Sequence, residues 1–344
     1  MNFWEHNVDL KSRNTMNLYA YAKDFFTISK QDDFFRFYDV YKRKENNLYC
    51  RKIFVLGEGS NTIFVDNNIN AVIVDVNTRG IDFLKENDSN VWVNCKAGEL
   101  FRDFVLQMCS NDYSGLENLA GIYGTVGAAP VQNIGAYGCE VKDCIDSVRY
   151  FDMTCGEYRV LTAEECQFGY RDSIFKHQDG TKIITDVVFK LNKNFVLNNS
   201  YDAVKKQFNN ISLSSITPLL VAQKITEIRN KKLPNPKVLG NCGSFFKNPV
   251  ITEQQFINLK AIHSDIVAFE DEKGWKLSAA WLISSCGFKN KKENGLSMYD
   301  KQPLVLVNYG IKNTKYLIDY IEQIKKVVKS QFDIDLIAEP HFVY

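Results

Sequence analysis

The sequence predicts an α+β protein of more than one domain, and three observations carry that expectation. The chain has 344 residues, too many for one small domain. At 45% hydrophobic and 24% charged it has the composition of a globular protein with a sizeable core, which excludes a disordered or fibrous chain. Short β-branched and aromatic runs are mixed with amphipathic stretches, without internal repeats or low-complexity segments.

In the N-terminal third, residues 32–41 (DDFFRFYDVY) place apolar side chains at helical spacing, with Asp32 or Asp33 expected as the cap. Residues 52–56 (KIFVL), 62–65 (TIFV), 71–76 (AVIVDV) and 91–97 (VWVNCKA) read as strands. Residues 100–109 (LFRDFVLQMC) read as an amphipathic helix. In the C-terminal third, helices are expected over 254–262, 277–285 and 314–330, with a strand at 304–308. The polar stretch 192–200 and the two prolines of 232–237 (KLPNPK) mark candidate domain junctions.

Charge and cysteine content narrow the function classes. Lys and Arg total 42 against 41 Asp and Glu, a net charge of +1, so no general affinity for nucleic acid or anionic membrane is expected. A local basic pocket remains open. No apolar run approaches the ~20 residues that span a bilayer, and the opening MNFWEHNVDLKSRN lacks the apolar core of a signal peptide. Nine scattered cysteines without a CxxC pair argue against structural zinc and a disulfide framework. Reduced thiols in a cytoplasmic protein are expected, and no metal.

Two glycine-rich segments carry the chemistry. Strand KIFVL runs into Gly57, Glu58, Gly59, Ser60 and Asn61, and TIFVD follows at once. A dinucleotide fingerprint needs a third glycine and a helix, and a P-loop needs GK[ST]; neither is present. Alone, the loop reads as a plain hairpin turn whose glycines permit positive φ. Residues 115–138 change the weighting, because six of the 19 glycines fall in these 24 positions. An even spread would give about 1.3. A flexible linker would rarely hold Leu116, Leu119, Ile122, Val126, Val131, Ile134 and Tyr137, so an ordered loop lining a cofactor is favoured.

GEGSN (57–61), AGIYGTVGAAPVQNIGAYG (120–138), CQFGYRDSIFK (166–176), KLPNPKVLGNCGSFFKNP (232–249) and AEP (338–340) together resemble the UDP-N-acetylenolpyruvoylglucosamine reductases, the MurB family of bacterial peptidoglycan synthesis. The motifs run in family order over almost the whole chain, and they are most similar to the branch whose active site is closed by a tyrosine-bearing loop. The resemblance implies an FAD-binding fold of the vanillyl-alcohol-oxidase (PCMH) type in two subdomains plus a smaller α+β substrate-binding domain. Its expected bounds are 1–72 and 73–230 for the subdomains and 231–337 for the substrate domain, with a strand at about 338–344 returning to the first.

By the same resemblance, the chain reduces an enolpyruvyl ether of UDP-N-acetylglucosamine to UDP-N-acetylmuramate, with noncovalent FAD and with NADPH as hydride donor. Gly57, Glu58, Gly59, Ser60 and Asn61 would hold the FAD pyrophosphate. Gly121, Gly124, Thr125, Gly127, Gln132, Asn133, Gly135, Ala136 and Gly138 would hold it from the second segment. Neither segment contains a histidine for a covalent flavin link. Arg171 matches the family arginine that binds the substrate carboxylate, a task suited to a planar, permanently charged fork. Glu339 matches the carboxyl acting with it, and Ser244 the proton donor to C2. A serine can serve there if cations such as Lys232 or Arg229 favour the alkoxide it becomes. Arg229 and Lys232 match the diphosphate region, Asn248 and Gln302 the polar substrate contacts, and Tyr170 adjoins Arg171.

Cys242 stands where the family usually has Ala, and a small buried thiol is expected there. Tyr123 stands where the family often has Pro. Either Tyr201 or Asn199 takes the place of the lid tyrosine. The expected partner is the UDP-sugar, with no nucleic acid and no membrane, and a monomer is expected, although the sequence does not decide the oligomeric state. Two competing functions are an alcohol or aldonolactone oxidase of the same fold and a noncatalytic nucleotide-sugar or flavin binder. The set Arg171, Ser244 and Glu339 argues against both.

Overall fold

The apolar runs at 53–56 and 71–76 form neighbouring strands, but the pairing is not that of a hairpin. In the computed structural model, which describes residues 2–177, 180–198 and 200–344, Ile53–Leu56 pairs in parallel with Asn68–Val76, Ile53 opposite Val72. The intervening Thr62–Phe64 instead pairs in parallel with His341–Val343. The hairpin expected at 57–61 is therefore corrected. Two apolar β-branched strands of like direction need a crossover, and residues 57–67 make it.

The chain divides into two compact units, the first comprising the described residues of Met1–Val8, Ala22–Glu58 and Asn70–Lys231. The second comprises Asp9–Tyr21, Gly59–Ile69 and Lys232–Tyr344. The loop 57–61 thus carries the chain from one unit to the other.

In the first unit a four-stranded sheet has the order Trp4–Asp9, Tyr21–Ile28, Asn68–Val76, Ile53–Leu56. Helix Asp32–Lys42 buries Phe34 and Phe37 in the same core as Phe26, Val72 and Val74. Its cap differs from expectation. Gln31 is the N-cap and makes no side-chain cap, while Asp33, inside the first turn, reaches back to accept the Ser29 and Lys30 N–H groups at 3.1 and 3.2 Å. A carboxylate in the first turn also suits the helix dipole.

The same unit holds a five-stranded antiparallel sheet ordered Glu157–Thr162, Ile145–Asp152, Lys182–Asn192, Asn90–Lys96, Ile81–Glu86. Val91, Val93 and Cys95 alternate into the core, as a period of two requires. Helix Phe101–Ser110 lies in this core, with the Phe104 and Phe189 ring centroids 4.8 Å apart.

The second unit carries two small sheets. One has the order Gly240–Ser244, Val305–Asn308, Leu296–Met298; the other, Val250–Ile251, Gly274–Leu277, Ala268–Asp271. Helices Glu253–Ile262, Ala279–Ser285 and Lys315–Phe332 accompany them. Phe245, Phe246, Leu282, Leu306, Ile321 and Ile324 form its core. Early residues belong to it as well: buried Asn14 bonds the Leu10 and Leu18 carbonyls at 2.8 and 3.0 Å, and Thr15 N–H donates to Gly59 O at 3.2 Å. Among the described residues all nine cysteines are unpaired, no helix is long and apolar enough to cross a membrane, and no cluster of metal-binding side chains occurs.

Candidate active site

In the first unit the GYRDS motif closes on itself. Gly169 and Asp172 exchange main-chain hydrogen bonds at 3.0 and 3.2 Å, which leaves Tyr170 and Arg171 at the tip of a tight turn. Arg171 has φ +53°, the left-handed region that an unbranched L-residue occupies only at a cost of about 1–3 kcal/mol. Three side chains then fasten this turn to the second glycine segment. Arg171 Nη2 donates to Gly135 O at 2.8 Å, Ser173 Oγ to Val131 O at 2.7 Å, and Asn133 Nδ2 to Gly169 O at 3.0 Å. Two motifs some forty residues apart are thereby one site.

Asn133 is fully buried, and its remaining groups are also used. Nδ2 bonds Glu140 Oε2 at 2.9 Å, and Oδ1 accepts the Lys142 N–H at 3.1 Å. The side chain therefore holds the loop together. With φ +46°, the site also favours Asn over Ala. Asn133→Ala should lower stability by about 2–4 kcal/mol, from three lost hydrogen bonds and the backbone preference. A thermal melt of the flavin-free protein checks this, and an unchanged melting temperature would refute it.

The two glycine segments touch. A Cβ on Gly57 would lie 2.8 Å from Thr125 Oγ1, and one on Gly127 would lie 2.6 Å from Ala97 Cβ, so both positions are held to glycine by closeness. Glu58 completes the junction: its Oε2 accepts the Gly124 N–H at 2.7 Å, and both carboxylate oxygens accept from Arg102 Nη1, at 2.8 and 2.6 Å. Along the second segment Ala128 is exposed, and Ile122, Val131, Ile134 and Ala136 are half-buried. A strip of small and apolar residues joined to a glycine turn fits a flat ring system bearing a diphosphate, so the residues present fit FAD.

At the end of the segment Tyr137 meets Tyr201 edge to face, ring centroids 5.6 Å apart. Asn198 Nδ2 bonds Cys139 Sγ at 3.1 Å, and Asn118 Nδ2 bonds the Tyr137 and Asn198 carbonyls at 3.0 and 3.3 Å. Tyr201, one of the two candidates for the lid position, packs on Tyr137 in this way, and the other, Asn199, lies outside the described residues. Arg229 Nε donates to Gly121 O at 3.3 Å, and burial pulls its pKa below the usual arginine value. Helix Pro218–Lys232 supplies Arg229 from its last turns and ends at the exposed Lys232.

In the second unit Ser244 ends strand Gly240–Ser244, opposite Val305 and beyond an irregularity in register after Asn241. Gly243, at φ +73°, makes that irregularity, and Asn241 Oδ1 holds its N–H at 3.1 Å. Glu339 N–H donates to Phe245 O at 2.8 Å, so Glu339 is fixed beside the residue that follows Ser244. Asn61 joins them: its Nδ2 bonds Glu339 O at 3.3 Å, and its carbonyl accepts the His341 N–H at 2.9 Å. Cys242 is buried, and burial first and the Glu339 carboxylate second push its thiol pKa far up, so it is no nucleophile. Asn248 spends its carbonyl on the Ala279 N–H at 3.0 Å, at the start of a helix. Gln302, half-buried, accepts the Val305 N–H through its main-chain carbonyl at 2.9 Å, just before the strand that pairs with Ser244.

Residues 235–343 match the model of the UDP-N-acetylenolpyruvoylglucosamine reductase C-terminal domain, and residues 44–162 match that of an FAD-binding domain. A UDP-N-acetylenolpyruvoylglucosamine reductase of Bdellovibrio bacteriovorus is 40% identical over 98% of both chains. One of Flavobacterium johnsoniae is 36% identical over 98% of this chain and 99% of its own. The chain belongs to the UDP-N-acetylenolpyruvoylglucosamine reductase family. It is a flavin-dependent oxidoreductase that reduces UDP-N-acetyl-3-O-(1-carboxyvinyl)-glucosamine to UDP-N-acetylmuramate for peptidoglycan synthesis, with FAD as cofactor and NADPH as donor. The solved structure of MurB from Thermus caldophilus covers 97% of both chains at TM-score 0.68 and 22% identity, and so shares the fold. That fold is the FAD-binding fold of the vanillyl-alcohol-oxidase type.

Sequence reasoning singled out Glu58 without its partner. Arg102 is the residue it missed, and one signal was available: an acidic side chain inside a loop meant for an anion calls for a neighbouring cation.

Proposed function

We propose that in this reductase Arg171 binds the substrate carboxylate, Ser244 protonates C2, and Glu339 acts with Arg171 on the charge that develops between. FAD, when bound, supplies the hydride that NADPH has given it. Addition of hydride at C3 pushes negative charge onto the carboxylate, where a guanidinium stabilises it most because the charge is greatest at that moment. The observation that carries this reading is the fastening of the Arg171 turn to Gly135 of the glycine segment. The Glu339–Phe245 bond beside Ser244 supports the other half.

Gly57–Asn61 and the segment 121–138 hold the flavin diphosphate through their main chain. Arg229 and Lys232 pair with the UDP diphosphate, and Tyr170, Asn248 and Gln302 make polar substrate contacts. For Asn248 the amide nitrogen is the group suited to this, since its carbonyl serves Ala279. Tyr201 is the lid tyrosine, a reading supported by its packing on Tyr137. We assign residues 1–72 and 73–230 to the FAD-binding subdomains and 231–337 to the substrate domain. The pairing of His341–Val343 with Thr62–Phe64 supports a return of the last strand to the first of these stretches. The enzyme works in the cytoplasm without nucleic acid or membrane, a reading that nine unpaired cysteines and a net charge of +1 support, and we propose that it acts as a monomer.

The flavin is noncovalent. The purified protein should be yellow, and acid precipitation should leave the flavin in the supernatant while NADPH and the enolpyruvyl sugar give the lactyl ether. Flavin that stays with the precipitate would point to a covalent oxidase, and a colourless protein that takes up no added FAD would overturn the cofactor reading.

A further inference from the structure

Glu58 and Arg102 are each misplaced alone. Glu58 brings a carboxylate into the glycine loop 57–61, where an anionic diphosphate would be repelled by it. Arg102 lies in the first turn of helix Phe101–Ser110, the end at which the helix dipole disfavours a cation. Together they make sense. Arg102 Nη1 donates to both oxygens of Glu58, the pair is about three-quarters buried, and Glu58 Oε2 still accepts the Gly124 N–H at 2.7 Å. The guanidinium carbon lies 4.9 Å from the Tyr123 ring centroid, so the residue before Gly124 holds Arg102 from a second side.

We infer that Arg102 is a positioning residue for FAD: it neutralises Glu58 so that the carboxylate can pin Gly124 N–H, and with it the second glycine segment, without repelling the diphosphate. The inference rests on the reading of both glycine segments as the diphosphate cradle. It assigns Glu58 to that cradle as a strut and not as a ligand. The charge of the carboxylate is incidental to its bond with Gly124, and a neutral amide oxygen in its place would accept the same N–H.

The test is FAD affinity of the flavin-stripped protein, followed by flavin fluorescence quenching, with the melting temperature of each stripped variant as a folding control. Arg102→Met should weaken FAD binding about 10- to 100-fold, because an uncompensated carboxylate then faces the diphosphate. Arg102→Met combined with Glu58→Gln should return to within about threefold of the parent, and Glu58→Gln alone should bind at least as tightly as the parent to within the same factor. Tyr123→Leu should cost about threefold. Unchanged affinity in Arg102→Met, or a double variant as weak as the single, overturns the inference. Should Arg102→Met not fold, Arg102→Lys, which keeps the charge, must stay within about tenfold of the parent, and a larger loss overturns the inference. A parent protein that binds no FAD would instead strike at the cofactor reading beneath it.

Discussion

Ser244→Ala is expected to leave bleaching of the flavin by NADPH at its parental rate and to slow reoxidation by the enolpyruvyl sugar by about 10²–10⁴-fold, the range for loss of general acid catalysis. The first half needs no proton from serine. On the proposed assignment the second does, since without Ser244 hydride at C3 leaves a carbanion at C2 with no positioned donor. The structure makes the substitution clean, because Ser244 is held by main-chain pairing to Val305 and alanine keeps that ladder. Rapid-mixing spectroscopy of the two halves separately is the measurement. Equal slowing of both would make Ser244 structural, and slowing of neither would give the proton to another group, Glu339 first.

Arg171→Gly should divide stability from activity. Glycine relieves the left-handed backbone at φ +53°, a gain of about 1 kcal/mol, and forfeits the hydrogen bond to Gly135 O, a loss of about the same size. The two offset, and the melting temperature should stay within about 2 °C for a chain of this length. Activity should not survive. Removing an arginine from a desolvated carboxylate costs about 3–5 kcal/mol, or roughly 10²–10⁴-fold in kcat/KM for the enolpyruvyl sugar. Arg171→Lys should be nearly as poor, because an ammonium cannot reproduce the fork. If stability falls along with activity, Arg171 is a latch for the glycine segment and not the carboxylate site.

What was legible in the sequence was local. The helices expected at 100–109 and 314–330 appear as Phe101–Ser110 and Lys315–Phe332, because periodic apolar residues and packing agree there. Strand 91–97 appears as Asn90–Lys96 for the same reason. Of the pairing, only a return of the last strand to the first stretch was legible, through the resemblance. Nothing near Thr62–Phe64 says that its partner is His341–Val343, and the glycine loop before it invited the wrong hairpin. Site residues carried by unusual strings, such as Arg171 in GYRDS, were nameable, but what they touch was not. Asn133 was nameable from its motif, but its bonds to Gly169 O and the Lys142 N–H were not, since a motif records which residue is needed and not which way it faces.

The pairing of Thr62–Phe64 with His341–Val343 also sets a clock on synthesis. Residues 62–64 leave the ribosome roughly 280 positions before their partner, which at about 5–20 residues per second is on the order of 15–60 s. Ile63 and Phe64, both fully buried in the finished protein, wait through that interval without the strand that pairs with them. Gly240–Ser244, whose Asn241 N–H bonds Thr15 O, likewise arrives long after its early neighbour. The first unit, by contrast, has all its residues once Lys231 is made. The nascent chain therefore has one half whose residues are complete early and another that lacks a pairing strand until His341–Val343 is made.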